Sequence, residues 1–271
     1  MDLHLTDKVA FVTGAGQGVG RRVALDLAAE GASVAVNDLF VERAQAVVDE
    51  ITAAGGKACT AVADITVKEQ VDAAVAQAGE ILGPIDILVN NAGVLVERRE
   101  KGGAAPLFLD TEPEGWERII ELNVYGMMYC CKAVLPGMKA RRYGKIVNIM
   151  SEAGRIGEAR LAVYSGAKAA MLGFAKAIAR EHGRDCINVN VISLGAISHE
   201  GIREGALHPD STPENNERLG KMLNSTYPIG RGLGRLARPE DVSGMVCLLA
   251  SDRAAYVTGQ STGVSGGYVM L

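Results

Sequence analysis

The stretch Thr13-Gly14-Ala15-Gly16-Gln17-Gly18-Val19-Gly20 decides the fold. It follows Lys8-Val9-Ala10-Phe11-Val12, a short apolar run that reads as a buried strand. It precedes the run from Arg21 to Glu30, which reads as a helix. A strand, a glycine turn and a helix start together form a phosphate cradle. The glycines let the backbone turn tightly and approach a diphosphate, and the helix end offers it free N–H groups and positive dipole. Gly14, Gln17, Gly18, Val19 and Gly20 are therefore candidate cofactor-binding residues. A glycine loop on its own also serves as a plain turn; the flanking strand and helix favour a dinucleotide.

Working outward, Ser33-Val34-Ala35-Val36-Asn37-Asp38 reads as the next strand, with an acid at its end. A carboxylate about 20 residues past such glycines meets the adenosine ribose hydroxyls. It also repels a 2′-phosphate, which favours NAD over NADP. Leu39 and Phe40 follow it directly, not a cation. The competing reading of Asp38 is a turn residue or helix cap.

Further strands are expected at Lys57 to Val62 (with Asp64-Ile65 beyond its end), Ile85 to Val89, Gly144 to Met150, Ile187 to Ile192 and Gln260 to Val264. Helical spacing runs from Lys68 to Leu82 and stops at Gly83-Pro84. Trp116 to Met138 reads as one long helix, and Val163 to His182 as another, ended by Gly183. Alternation of this kind predicts an α/β fold: a Rossmann-type, doubly wound parallel sheet of seven strands, with helices on both faces and right-handed crossovers. No repeat, low-complexity tract or linker interrupts it, so residues 1–271 are expected to form a single domain.

Tyr164-Ser165-Gly166-Ala167-Lys168 lies in the second long helix. Residues four apart on a helix share a face, one turn apart. An ammonium beside a phenol favours the phenolate, and a tyrosine so placed can exchange a proton near neutral pH. Such a pair also arises by chance. Ser151, thirteen residues before Tyr164, ends an expected strand, where its hydroxyl enters the crevice in which open α/β sheets bind ligands.

With these residues in place, the chain resembles the short-chain dehydrogenase/reductase family from Lys8 to Ser265-Gly266-Gly267. The motifs are the glycine loop, Asn90-Asn91-Ala92-Gly93 after a strand, Asn123 in Leu122-Asn123-Val124, and Ser151, Tyr164 and Lys168. The resemblance implies a catalytic tetrad of Asn123, Ser151, Tyr164 and Lys168, in which Asn123 holds a water that links Lys168 to solvent. It implies cofactor contacts from Asp64, Ile65, Asn91, Gly93 and Ile197, and from Lys168 to the nicotinamide ribose. It also implies a homotetramer built from paired long helices and C-terminal segments; the apolar end Tyr268-Val269-Met270-Leu271 suits burial against a neighbour. One departure stands out. The family usually has Pro-Gly after its sixth strand, and here Leu194-Gly195 stands there, with Ser198-His199 where a threonine often follows.

Composition agrees. The 271 residues are 48% hydrophobic and 22% charged, which suits a soluble globular protein. A net charge of −4 gives no electrostatic reason to expect nucleic acid. No apolar run reaches the ~18 residues of a membrane span, and a cytoplasmic location is expected. Cys59, Cys130, Cys131, Cys186 and Cys247 form no Cys-x-x-Cys pair and read as reduced thiols. His4, His182, His199 and His208 show no metal-ligand spacing, and no metal is expected. His199 alone follows the expected nicotinamide loop and faces the possibility of substrate contact.

Two stretches are longer than the fold needs: Val94 to Glu114, and the polar run from Ser198 to Pro228. The second falls where the family carries its substrate lid. The chemistry implied is NAD-dependent interconversion of a secondary alcohol and a ketone. The stretches Thr111 to Arg118 and Val134 to Met138 resemble bacterial members that oxidise alicyclic hydroxyacyl-CoA thioesters. On that reading Arg98, Arg99, Arg155 and Arg160 would meet the CoA phosphates. A small cyclic alcohol or a steroid stays open, as does an idle NAD-binding subunit on the same fold. A sensor or scaffold, however, has no need of the four tetrad residues together.

Overall fold

The computed structural model describes residues 2–93, 105–202, 207 and 213–270, with backbone alone at 213–215. Arg98, Arg99 and parts of both long loops lie outside the described residues.

The elements run β1 (Val9–Val12), α1 (Gly18–Ala29), β2 (Ser33–Val36), α2 (Val41–Ala53), β3 (Lys57–Thr60), α3 (Lys68–Leu82), β4 (Ile87–Asn90), α4 (Pro113–Ile120) and α5 (Gly126–Arg141). There follow β5 (Gly144–Ser151), α6 (Ala162–His182), β6 (Ile187–Leu194), α7 (Pro213–Thr226), α8 (Pro228–Leu233), α9 (Pro239–Ala250) and β7 (Ser261–Val264). The strands form one sheet of seven in the order β3-β2-β1-β4-β5-β6-β7. Every pairing in it is parallel. The order turns back on itself between β1 and β4, which opens a crevice at the carboxyl ends of the strands.

Both faces of the sheet are covered, so its central strands are apolar on both sides. In β1, successive side chains point opposite ways. Ala10 and Val12 pack with Val23 and Leu27 of α1, Val47 and Ile51 of α2, and Val242 and Val246 of α9. Val9 and Phe11 pack on the other face with Val71 of α3, Met127 and Val134 of α5, and Met171 of α6. Each fully buried aliphatic or aromatic side chain contributes about 1.5–3 kcal/mol.

Two departures from expectation bear on the site. The helix expected over Trp116–Met138 starts at Pro113 and is broken by a π turn, Glu121–Tyr125, between α4 and α5. Single π turns inside helices are frequent at functional sites, and this one carries Asn123. The sixth strand runs on to Leu194 instead of stopping at Ile192. Proline cannot donate to a ladder. Leucine can, and Leu194 pairs in register with Ser151 on one side and Val264 on the other.

Candidate functional site

The glycine loop leaves β1 and turns into α1 through Gly14 (φ 59°) and Gly18 (φ 57°), left-handed conformations that suit glycine. Neighbouring side chains latch it in place. Asn91 Nδ2 donates to the carbonyls of Thr13 (3.0 Å) and Gly14 (3.1 Å). Thr13 Oγ1 accepts from the N–H groups of Asn91 (2.9 Å) and Ala92 (3.1 Å). Gly20 does not face the cleft; a Cβ there would lie 2.3 Å from the Gly14 carbonyl oxygen, so its lack of a side chain lets α1 press against the loop.

Asp38 is buried and closes the far end of the loop. Its Oδ2 accepts from Gly16 N–H at 3.0 Å and its Oδ1 from Phe40 N–H at 3.1 Å. A Cβ on Gly16 would come within 2.7 Å of Asp38 Oδ2. The carboxylate is thus both a turn residue and the acidic group at the end of the crevice. Asp64 Oδ1 accepts from the N–H and hydroxyl of Thr66, at 2.9 and 2.7 Å. Ile65 packs under Gly126, where an added Cβ would meet its Cδ1 at 2.8 Å.

The loops after β4, β5 and β6 and the first turns of α6 bring the second cluster together. Ser151 ends β5, and its Oγ accepts from Ala153 N–H at 3.2 Å. Lys168 is buried one helical turn beyond Tyr164, with Nζ 5.8 Å from the Tyr164 ring centre. Its Nζ donates to the Ile149 carbonyl at 3.1 Å. Burial pulls the Lys168 ammonium down from 10.5 to about 8. Asn123 sits behind the cleft wall, buried; its amide donates to the Ile119 carbonyl at 3.0 Å, and its Oδ1 has no hydrogen-bond partner among the described residues. Both head groups flank Gly93. A Cβ there would lie 2.5 Å from Lys168 Nζ and 2.8 Å from Asn123 Oδ1.

One cleft of about 780 Å³ joins the two clusters. Of the residues expected from sequence, Gly14, Gln17, Gly18, Val19, Asp38, Asp64, Ile65, Asn91, Gly93, Ser151, Tyr164, Lys168 and Ile197 line it. Asn123 and Gly20 stand behind. Sequence reading missed Arg43, which also lines the cleft with its guanidinium 4.3 Å over the Phe40 ring. The signal was available: Arg43 lies in the first turn of α2, five residues past Asp38. Arg155 corrects another expectation. Its side chain is buried, 3.5 Å from Glu152 and bonded to the Ser261 carbonyl and hydroxyl at 2.6 Å, so it is committed inside the fold. Arg160 donates to the Ala105 carbonyl at 2.8 Å.

The cradle fits a dinucleotide. Side chains are missing where a diphosphate needs backbone approach, a carboxylate stands where a ribose diol would bind, and a buried amide oxygen without a partner lies beside the lysine. A family model described as short chain dehydrogenase matches residues 8–205. The chain belongs to the short chain dehydrogenase family. This short chain dehydrogenase is 37% identical to the hydroxy(phenyl)methylsuccinyl-CoA dehydrogenase subunit BbsD of Thauera aromatica, over 98% of each chain. It is 36% identical to the cyclohexanol dehydrogenase of Acinetobacter sp., over 99% of this chain and 97% of that one. A solved 7α-hydroxysteroid dehydrogenase, in complex with NADH and 7-oxo-glycochenodeoxycholic acid, superposes with a TM-score of 0.84 at 35% identity, over 100% of this chain and 97% of that one. Among the described residues, no group of three His, Cys, Asp or Glu is placed to hold a metal, and no helix is long and apolar enough to cross a membrane.

Proposed function

We propose that this short chain dehydrogenase is an NAD-dependent oxidoreductase that interconverts a secondary alcohol and a ketone, with Tyr164 as its proton-transfer group. The observation that carries this reading is the convergence of Ser151, Tyr164 and buried Lys168 on the cleft that Asp38 closes at its other end. Gly14, Gln17, Gly18 and Val19 would hold the cofactor diphosphate, Asp38 the adenosine ribose, and Asp64 and Ile65 the adenine. Asn91, Gly93 and Ile197 would flank the ribose and carboxamide of the nicotinamide half. When bound, NAD supplies a hydride acceptor, and its reduced form a hydride donor.

Tyr164 Oη takes the alcohol proton in oxidation and returns it to the carbonyl oxygen in reduction. Ser151 Oγ hydrogen-bonds that same oxygen and orients it. The Lys168 ammonium favours the phenolate by its charge. Asn123 Oδ1, unpartnered and facing the same point above Gly93 as Lys168 Nζ, suits a bound water that connects the lysine to solvent.

Leu122, Leu194 and Leu207 give the cleft apolar lining. Such walls suit an apolar ring or acyl chain, in line with the alicyclic, acyl-CoA and steroid substrates named for the relatives. Residues 1–271 would act as one domain, with segment 198–228 covering the substrate. A cytoplasmic homotetramer is the assembly proposed; Tyr256 and Met270 leave large apolar surface exposed for it. The direct test mixes the protein with NAD and a panel of secondary alcohols and follows NADH absorbance. Turnover of an alicyclic alcohol is expected; no turnover across the panel in either direction would reject the reading. Pairing each CoA ester with its free acid separates the substrate classes, since equal rates remove any role for CoA phosphates.

Cofactor choice is a second expected outcome. NAD should be preferred over NADP by kcat/KM. Asp38→Ala removes the repelling carboxylate and leaves Arg43 nearby, so the preference should shift toward NADP by at least about tenfold. A parent enzyme that prefers NADP would show that Asp38 has been misassigned.

A further inference from the structure

The chain that follows β6 turns back over the glycine loop. Gly18 N–H, at the first residue of α1, donates to Glu200 Oε1 at 3.0 Å, across 182 residues of sequence. His199 stands against the same glycine: a Cβ on Gly18 would lie 2.9 Å from His199 Nδ1, and that nitrogen accepts from Gly201 N–H at 3.0 Å. Gly201 in turn closes on Gln17, whose Oε1 would be 2.9 Å from a Cβ placed there. Partial burial works against the Glu200 charge, but the N–H groups of Glu200 and Gly18, with His199 and Arg21 nearby, hold its carboxyl below the usual range.

A helix start draws an anion because its amides are unpaired and its dipole is positive. At α1 an anion is already in place, and it belongs to the protein. We propose that Glu200 is a built-in occupant of the cofactor's diphosphate subsite, capping the Gly18 amide until a dinucleotide displaces it. The proposal rests on the reading of this cleft as a dinucleotide site. One N–H cannot serve a carboxylate and a phosphate oxygen at once, and two anions at that distance repel. Glu200 therefore lowers cofactor affinity.

The test uses the full chain and equilibrium binding followed by fluorescence or calorimetry, without turnover. NADH, ADP and adenosine are titrated into the parent, Glu200→Gln and Glu200→Ala. Glutamine keeps the shape and removes the charge. Both variants should bind NADH and ADP about three- to tenfold more tightly, by relief of like-charge repulsion. Adenosine carries no phosphate, and its affinity should stay unchanged. Unchanged or weaker NADH binding in the variants, with a parent that binds NADH, would overturn the proposal alone. An equal gain for adenosine would also overturn it, because that would mark general loosening of the loop. A parent that binds no NADH would overturn the cofactor reading, and the proposal with it.

Discussion

Tyr164→Phe is expected to bind NADH as the parent does and to lose about 10²–10⁴-fold in turnover. The change removes one oxygen and keeps the ring, so packing along α6 is retained. What is lost is the hydroxyl proposed to exchange a proton with a substrate oxygen, one helical turn from the buried Lys168. Cofactor binding should persist because the glycine loop and Asp38 are held by their own hydrogen bonds. Paired measurements of NADH binding and steady-state rate check this. Near-normal turnover in the variant would exclude Tyr164 as the proton-transfer group.

Lys168→Met is expected to abolish most activity, by about 10²-fold or more, and yet to raise thermal stability. Lys168 is buried with its pKa pulled from 10.5 to about 8, so the native state holds its proton less tightly than the unfolded chain. The burial of charge thus costs stability in full below about pH 8, and the cost is relieved as pH climbs toward 10.5. A shift of that size corresponds to at most about 3 kcal/mol, and loss of the hydrogen bond to the Ile149 carbonyl takes back about 1 kcal/mol. Methionine fills similar space without charge. Melting of the two proteins without cofactor, at neutral pH and again near pH 10, should show the variant more stable by a few degrees at neutral pH, with the gap narrowing in alkali. A variant less stable at neutral pH would show that the buried ammonium is better compensated than its surroundings suggest.

The sheet was legible because its causes are local. Val9 to Val12 is apolar at every position and ends in glycines, and Lys68 to Leu82 ends at Gly83-Pro84; neither pattern needs a distant partner to be read. The π turn at Glu121–Tyr125 was not legible, since an extra residue in one turn hardly disturbs helical spacing over so short a run. Arg155 was read as a contact for CoA phosphates because a sequence does not show that β7, more than 100 residues later, supplies its acceptors. Glu200 escaped notice for the same reason: its meaning lies in a glycine at the opposite end of the fold. Asp38 was read either for its charge or as a turn residue, and its bonds to Gly16 and Phe40 fit the turn reading without displacing the other.

The reversal of strand order between β1 and β4 has a wider consequence. Loops from β1, β2 and β3 would grip the adenosine half, those from β5 and β6 would carry the proposed chemistry and substrate wall, and Asn91, after β4, is riveted to the glycine loop. Changes in taste for one alcohol or another can then accumulate on one bank of this seam without disturbing coenzyme recognition on the other. An engineer who wants a new substrate from this scaffold should redraw the far bank and leave the rivet alone.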